Sequence, residues 1–479
     1  MATKTVSMEL QDIQGLLIRS HKEMSYAKYF MAHITEQEKA KSWLSDIIPE
    51  ITDGISKPTD FRLQIAFTYS GIRKLCNAKM FGFVVEFEQG MATDFRSRVL
   101  GDLEESAPQN WEWGGPNNKA LDFVLMVFAP SEQRLSQKHE ETLSLWTQNG
   151  IEHIISLDAP PNPHGKEHFG FADGITQPVM PGLSKSDLPE NTVSQGEFIL
   201  GYPNGYDQLP ATPLIKEIND PNQQLPASKE SGYRDFGRNG SYMVFRQLEQ
   251  DVEGFWKQAK EGTKQIGKEE SACIYTASKM VGRWPNGKPM TEDPENESSF
   301  DPKEKYFLYL KNGDKAGHKC PLGSHVRRTN PRDVLPDNKP EASVEISNLH
   351  RILRRGRIYG PPLDESFSAE KIKDLPNDDK KRGLHFICFN ANIARQFEFI
   401  QHMWCNNTKF DGLYNDPDPV LGIKDYRDRS KKHDFTIQAD PVRQKIYGLT
   451  RHVEIKGGAY FFMPGLKALK FLSQKDVTN

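Results

Sequence analysis

The sequence predicts an α+β protein made of two domains of similar plan, and three observations predict it. The chain has 479 residues with 37% hydrophobic and 10% aromatic content, which can bury a large core and is longer than one domain usually runs. Strand-then-helix patterns occur near both ends of each half. Between the halves, from about Ser156 to Asn239, lies a stretch thick with Pro, Gly, Asn and Asp. Segments this long inside compact proteins are usually functional or disordered.

Taken in order, DIQGLLIRSHKEMSYAKYFMAHI reads as a short apolar strand followed by a helical stretch. ALDFVLMVFAPSEQRLSQKHEETLSLW reads as a strand, a break at Pro130 and an amphipathic helix. In the second half, SYMVFRQLEQDVEGFWKQAKEG and RGLHFICFNANIARQFEFIQHMW each read as a strand and then a helix. Pairs of this kind are the two ends of a β-α-β-β-α-β unit. The expected division is therefore an N-terminal domain over 1–155, a connecting segment over 156–239 and a C-terminal domain over 240–479.

A formal net charge of -3 offers no basic field to hold a phosphate backbone, so no nucleic-acid partner is expected. The five cysteines, Cys76, Cys273, Cys320, Cys388 and Cys405, are far apart, odd in number and form no C-x-x-C pair. That argues against a disulfide framework and against a cysteine-rich zinc module. The N-terminus has no apolar core of signal-peptide length, and no apolar run approaches the roughly 18–20 residues that span a bilayer. The expectation is a cytoplasmic protein with no membrane partner. A homo-oligomer is compatible with the sequence, which displays no interface.

The stretch HGKEHFGFADGITQP, from His164 to Pro178, offers two chemistries. Its first five residues match H-x-x-E-H, which in one class of metallopeptidase sets two His ligands and a catalytic Glu around zinc. His164, Glu167 and His168 would then act together. That arrangement needs a helix to bring the histidines to one face, and three prolines just before His164, with Gly165 and Gly170, argue against one.

The second half of the stretch carries a resemblance. Gly170 to Gly174 match the G-x-x-D-G motif of the dye-decolorizing peroxidases, extended by Gln177 and Pro178. CPLGSHVRRTNPRD is similar to that family's proximal-histidine segment and ILRRGRIYG to its distal-arginine segment. QIAFTYSGIRKL, MATDFRSRVLGD, GSYMVFRQL, KMVGRWPNGKP and DPDPVLG extend the likeness over most of the chain, and IARQFEFIQHMWCNN is similar to the longer bacterial members. The resemblance implies two ferredoxin-like domains with antiparallel sheets and haem b (iron protoporphyrin IX) held in the C-terminal domain near the domain junction. It implies a peroxidase that reduces hydrogen peroxide and oxidises dyes, phenolic or other aromatic reductants.

The same resemblance assigns residues. A peroxidase haem needs one axial nitrogen and one open face; His325 matches the family's ligand, with His350 and His318 as fallbacks. A ligating histidine gives its other ring proton to an acceptor, and Glu345, Asp333 and Glu398 are the candidates. Asp173 matches the distal carboxylate that moves a proton or positions water, and Arg354 supplies fixed positive charge. A guanidinium beside Asp173 would keep it ionised into acid, so an acid-side activity optimum is expected. Asn330 is a further catalytic candidate, and Leu384 and Phe386 are candidates for lining the cavity. Tyr359 and Trp404 are candidate electron relays to the surface. The rival readings are a haem carrier or iron-releasing haem enzyme, which would share the haem-binding residues, and the zinc metallohydrolase.

Overall fold

The computed structural model describes residues 7–183, 189–301, 306–335, 339–423 and 432–474. The first half contributes four strands, β1 (Tyr26–Ile34), β2 (Arg62–Phe67), β3 (Phe123–Ala129) and β4 (Ile151–Ala159). They pair antiparallel in the order β2-β3-β1-β4. The second half contributes β5 (Ser241–Gln250), the short β6 (Leu353–Arg354) and β7 (Arg357–Tyr359), β8 (Gly383–Asn390) and β9 (Val453–Met463). Their order, β7-β8-β5-β9 with β6 also on β8, repeats that of the first half. Each half is thus a ferredoxin-like sheet, and the two meet where Phe462 of β9 pairs with Phe67 of β2, giving nine strands in one sheet.

Period-two alternation explains how one strand serves two cores. Along β3, Phe123, Leu125, Val127 and Ala129 enter one apolar cluster, while Val124, Met126 and Phe128 enter the other. The first cluster is covered by helices α1 (Gln37–Ile47), through Trp43 and Leu44, and α2 (Glu132–Gln148), through Leu135 and Trp146. Both clusters run on into the second half, through Tyr242 and Val244 on one face and Met243 and Phe245 on the other. Seven consecutive buried residues on β3 therefore mark a strand covered on both faces. Helix α2 begins where Ser131 Oγ accepts from Arg134 N, directly after the break expected at Pro130.

One expected element is reversed. In the first segment, GLLI forms a single helical turn (Gly15–Ile18), and YAKYFMAHI, read as helical, is strand β1. Cross-strand pairing on both sides of β1 decides it. The other three strand-then-helix expectations match, with helix α3 (Val252–Gln265) after β5 and π-helical turns over Ala394–Glu398 and Ile400–Cys405 after β8. Helix α3 packs into a third cluster with Phe169 and Phe171, which brings the connecting segment against the second half.

Candidate active site

A cavity of about 430 Å³ opens between the connecting segment and the second half of the sheet. Its walls come from residues 171–177, strands β5, β8 and β9, and the short helix α4 (His325–Thr329). Leu248, Leu384, Val453 and Ile455 make much of the surface apolar.

His325 stands at the first position of α4, and its Nδ1 lies 2.8 Å from Asp418 Oδ2. That contact leaves Nε2 as the ring nitrogen available to a metal in the cavity that His325 lines. Asp418 is fully buried and its other oxygen accepts from Val420 N at 2.9 Å and Leu421 N at 3.1 Å. Burial opposes ionisation of both partners, but their mutual attraction prevails: the His325 pKa lies above its ordinary value and the Asp418 pKa below. Arg328, one turn along α4, is buried and donates to the carbonyls of Gly323, Trp404, Asn407 and Asp416. It ties the histidine helix to the loop that carries Asp418. Gly422 closes this loop: a Cβ there would meet Asp418 N at 2.5 Å and Asp418 O at 2.7 Å.

Asp418 is the partner that sequence reasoning missed. Asp333 instead accepts from the amides of Leu310 and Lys311. Glu398 pairs with Arg96 and Tyr460, and Glu345 is exposed. The signal was present in DPDPVLG, where an Asp before Pro turns the chain so that the next amides point back at its carboxylate.

In the lining of the same cavity, Arg354 Nη1 donates to Asp173 Oδ1 at 3.1 Å. Asp173 is held by its backbone, N–H to Gly165 O at 2.9 Å, and its Oδ1 accepts from Gly174 N at 2.6 Å. The Arg354 amide donates to Gln177 Oε1, joining the two motifs. Gly170 has φ +96, and a Cβ would press on the Ala369 backbone at 3.1 Å, which explains the first glycine of G-x-x-D-G.

Asn330, Leu384 and Phe386 line the same cavity, the last two on one face of β8. His350 and His318 do not line it: His350 Nδ1 contacts Arg395 O and its ring stacks on Phe399, while His318 is exposed. Tyr359 is buried and stacks at 4.7 Å on His385, a cavity-lining ring. Trp404 is buried beside Phe399 and borders a second cavity of about 220 Å³.

The zinc arrangement does not form. His164 is exposed, His168 Nε2 donates to Tyr359 O at 2.9 Å, and the Glu167 carboxylate accepts from Phe169 N, Phe171 N and Gln250 Nε2. Gly165 at φ +61 breaks the helix that the spacing needs. Among the described residues no group of three His, Cys, Asp or Glu is placed to hold a metal ion.

No protein-family model matches the chain. It is 32% identical over 381 residues to the multifunctional dye peroxidase DyP2 of Amycolatopsis sp., covering 76% of this chain and 74% of that protein. The chain belongs to the dye-decolorizing peroxidase family. The dye-decolorizing peroxidase of Exidia glandulosa is 26% identical over 492 residues, covering 97% of this chain and 87% of its own. A solved structure of an ancestral D-type dye-decolorizing peroxidase superposes with a TM-score of 0.77 at 26% identity, over 97% of this chain and 99% of that one. Dye-decolorizing peroxidases are haem enzymes, oxidoreductases acting on peroxide. No described helix is long and apolar enough to cross a membrane.

Proposed function

We propose that this chain binds haem b through His325 and reduces hydrogen peroxide at the opposite side of the cavity, then draws electrons from dyes or other aromatic reductants. The observation that carries the reading is the convergence on one cavity of a carboxylate-held imidazole and an Asp173–Arg354 pair.

The residues present fit a haem. The apolar walls suit a porphyrin face, and the cavity holds buried positive charge. Arg351 and Arg355 line it, donate to neutral groups (Asn191 Oδ1; the carbonyls of Leu16 and Leu17), and are pushed down by burial to about 9 and about 10. A ligand bearing carboxylates would neutralise them. When bound, haem supplies a redox-active iron that receives peroxide and exchanges electrons with it. Asp173 takes the proton from one peroxide oxygen and delivers it to the other. Arg354 holds the negative charge that develops on the departing oxygen. Asp418 keeps His325 in the tautomer that offers Nε2 and makes the ring electron-rich. Asn330 adds a polar group to the wall, and Leu384 and Phe386 limit water.

In this reading 1–155 and 240–479 are the two repeated domains, and 156–239 delivers Asp173 to the second. The protein acts in the cytoplasm. The deciding experiment adds haem to the purified chain and to His325→Ala and records the visible spectrum, followed by peroxide-dependent dye oxidation. A sharp Soret band that is altered or lost in the variant, with turnover in the wild type, is expected. A normal Soret band in His325→Ala would reject the ligand, and haem binding without turnover would return the carrier reading.

A further inference from the structure

The HGKEH stretch, no longer a zinc site, still holds a half-buried carboxyl group at the cavity wall, and its bonds all serve its neighbours. Glu167 Oε2 accepts from Phe169 N at 2.9 Å and Gln250 Nε2 at 2.6 Å, and Oε1 accepts from Phe171 N at 2.9 Å. Glu167 N donates to Phe171 O and Gly170 N to Glu167 O, each at 2.9 Å, so the chain closes around its own side chain. His168 fastens the same turn to the second half of the sheet by donating to Tyr359 O. The rings that follow lie against α3, Phe169 stacked on Phe255 at 4.2 Å and Phe171 on Trp256 at 6.2 Å. Asp173 follows two residues later. Among the described residues its side chain pairs with one cation, Arg354.

We propose that Glu167 is a positioning residue: its carboxyl group latches residues 167–171 closed and thereby sets where Asp173 stands against Arg354. Its consequence for peroxide rests on the function proposed above; the latch itself does not.

The latch responds to pH. Burial, helped by the charge of Asp173 and opposed by hydrogen bonds from Phe169, Gln250 and Phe171, pushes the Glu167 pKa from 4.5 up to about 7. The charged groups facing it are Asp173 and Lys166, the latter drawn toward its charged form by Glu167. Opening the turn to water returns the carboxyl to its ordinary range. The closed form therefore holds an extra proton between pH 4.5 and 7, so opening becomes easier as pH rises through that window and levels off above it. The latch is tight in acid.

The test is hydrogen–deuterium exchange, read by mass spectrometry on the peptide covering 165–173 in the full chain, with and without added haem. Exchange is followed from pH 5 to 8 and corrected for its intrinsic pH dependence, in wild type, Glu167→Gln and Gln250→Ala. In the wild type, protection should fall by up to about ten-fold per pH unit, then flatten near pH 7. Glu167→Gln should make it independent of pH. Gln250→Ala removes a bond that favours the carboxylate, so the flattening should move to higher pH, and this decides the matter should Glu167→Gln not fold. A Glu167→Gln profile that tracks the wild type, or no pH dependence in the wild type, would overturn the latch. Latch behaviour as expected, with no peroxide turnover, would sink the proposed function and leave the latch standing.

Discussion

The two sides of the cavity are built differently. On the His325 side the ring's partners are fixed by the core: Asp418 is fully buried with three hydrogen bonds to its side chain, and Arg328 spans four carbonyls. On the opposite side Asp173 and Arg354 have side chains 44% and 35% exposed and meet through one bond. Under the proposed function the first side would hold a ligand and must keep one geometry, so over-determination suits it; the second would move protons and needs groups with spare valences, ordered by the backbone turn beneath them.

The largest losses are expected where chemistry depends on a single bond. Asp173→Asn should lower peroxide reduction about 10²–10⁴-fold, and Arg354→Leu about 10²–10³-fold. Stability and the Soret band should stay close to wild type because both residues are half-exposed. Stopped-flow mixing with peroxide measures the rates. A variant that keeps wild-type rates would remove that residue from the proton and charge roles.

On the other side the damage should fall on stability. Asp418→Ala leaves His325 and Arg328 without their shared anion, and removing one member of a buried pair costs about 3–5 kcal/mol. Denaturant midpoints check this, and the Soret band should shift as His325 loses its anchor. Gly422→Ala acts on the same loop more gently. Its new Cβ would meet the Asp418 backbone at 2.5 Å and force a displacement, an overpacking cost of about 1–3 kcal/mol, read in the same titration.

The sequence was most legible where function depends on contiguous residues. Asp173, His325 and Arg354 each sit in a short contiguous segment with its own turn chemistry, as Gly170 illustrates with its positive φ, and the fold brings all three to one cavity. Asp418 was not legible, because it lies 93 residues from His325 and only folding brings them together. Sequence reasoning therefore looked for the partner at Asp333, Glu345 and Glu398, whose side chains turned out to serve loop amides, solvent and Arg96 respectively. The repeated sheet was legible through its strand-then-helix pairs. The reversal in the first of them has a physical source: the mostly apolar and aromatic run YAKYFMAHI has no clean period of its own and suits a pleated surface as well as a helix, and pairing with β3 and β4 decides between them. The spacing of HGKEH carries no information about backbone dihedrals, but the prolines and glycines around it do: they argue against a helix, and Gly165 stands at φ +61.

The smallest expected effect concerns how electrons reach the cavity. Tyr359 stacks on His385 at the wall, whereas Trp404 borders the outer cavity of about 220 Å³ and is followed by Cys405, which lines the inner one. A relay at the surface should therefore depend more on Trp404 than on Tyr359. Trp404→Phe preserves an aromatic ring against Phe399 and His350 but removes the indole that is easier to oxidise. Turnover of bulky dyes should fall several-fold, with smaller loss in Tyr359→Phe, and small phenols that enter the cavity should react at the wild-type rate. Equal losses for bulky and small substrates would mean that these rings only pack, since a packing defect reaches every substrate alike.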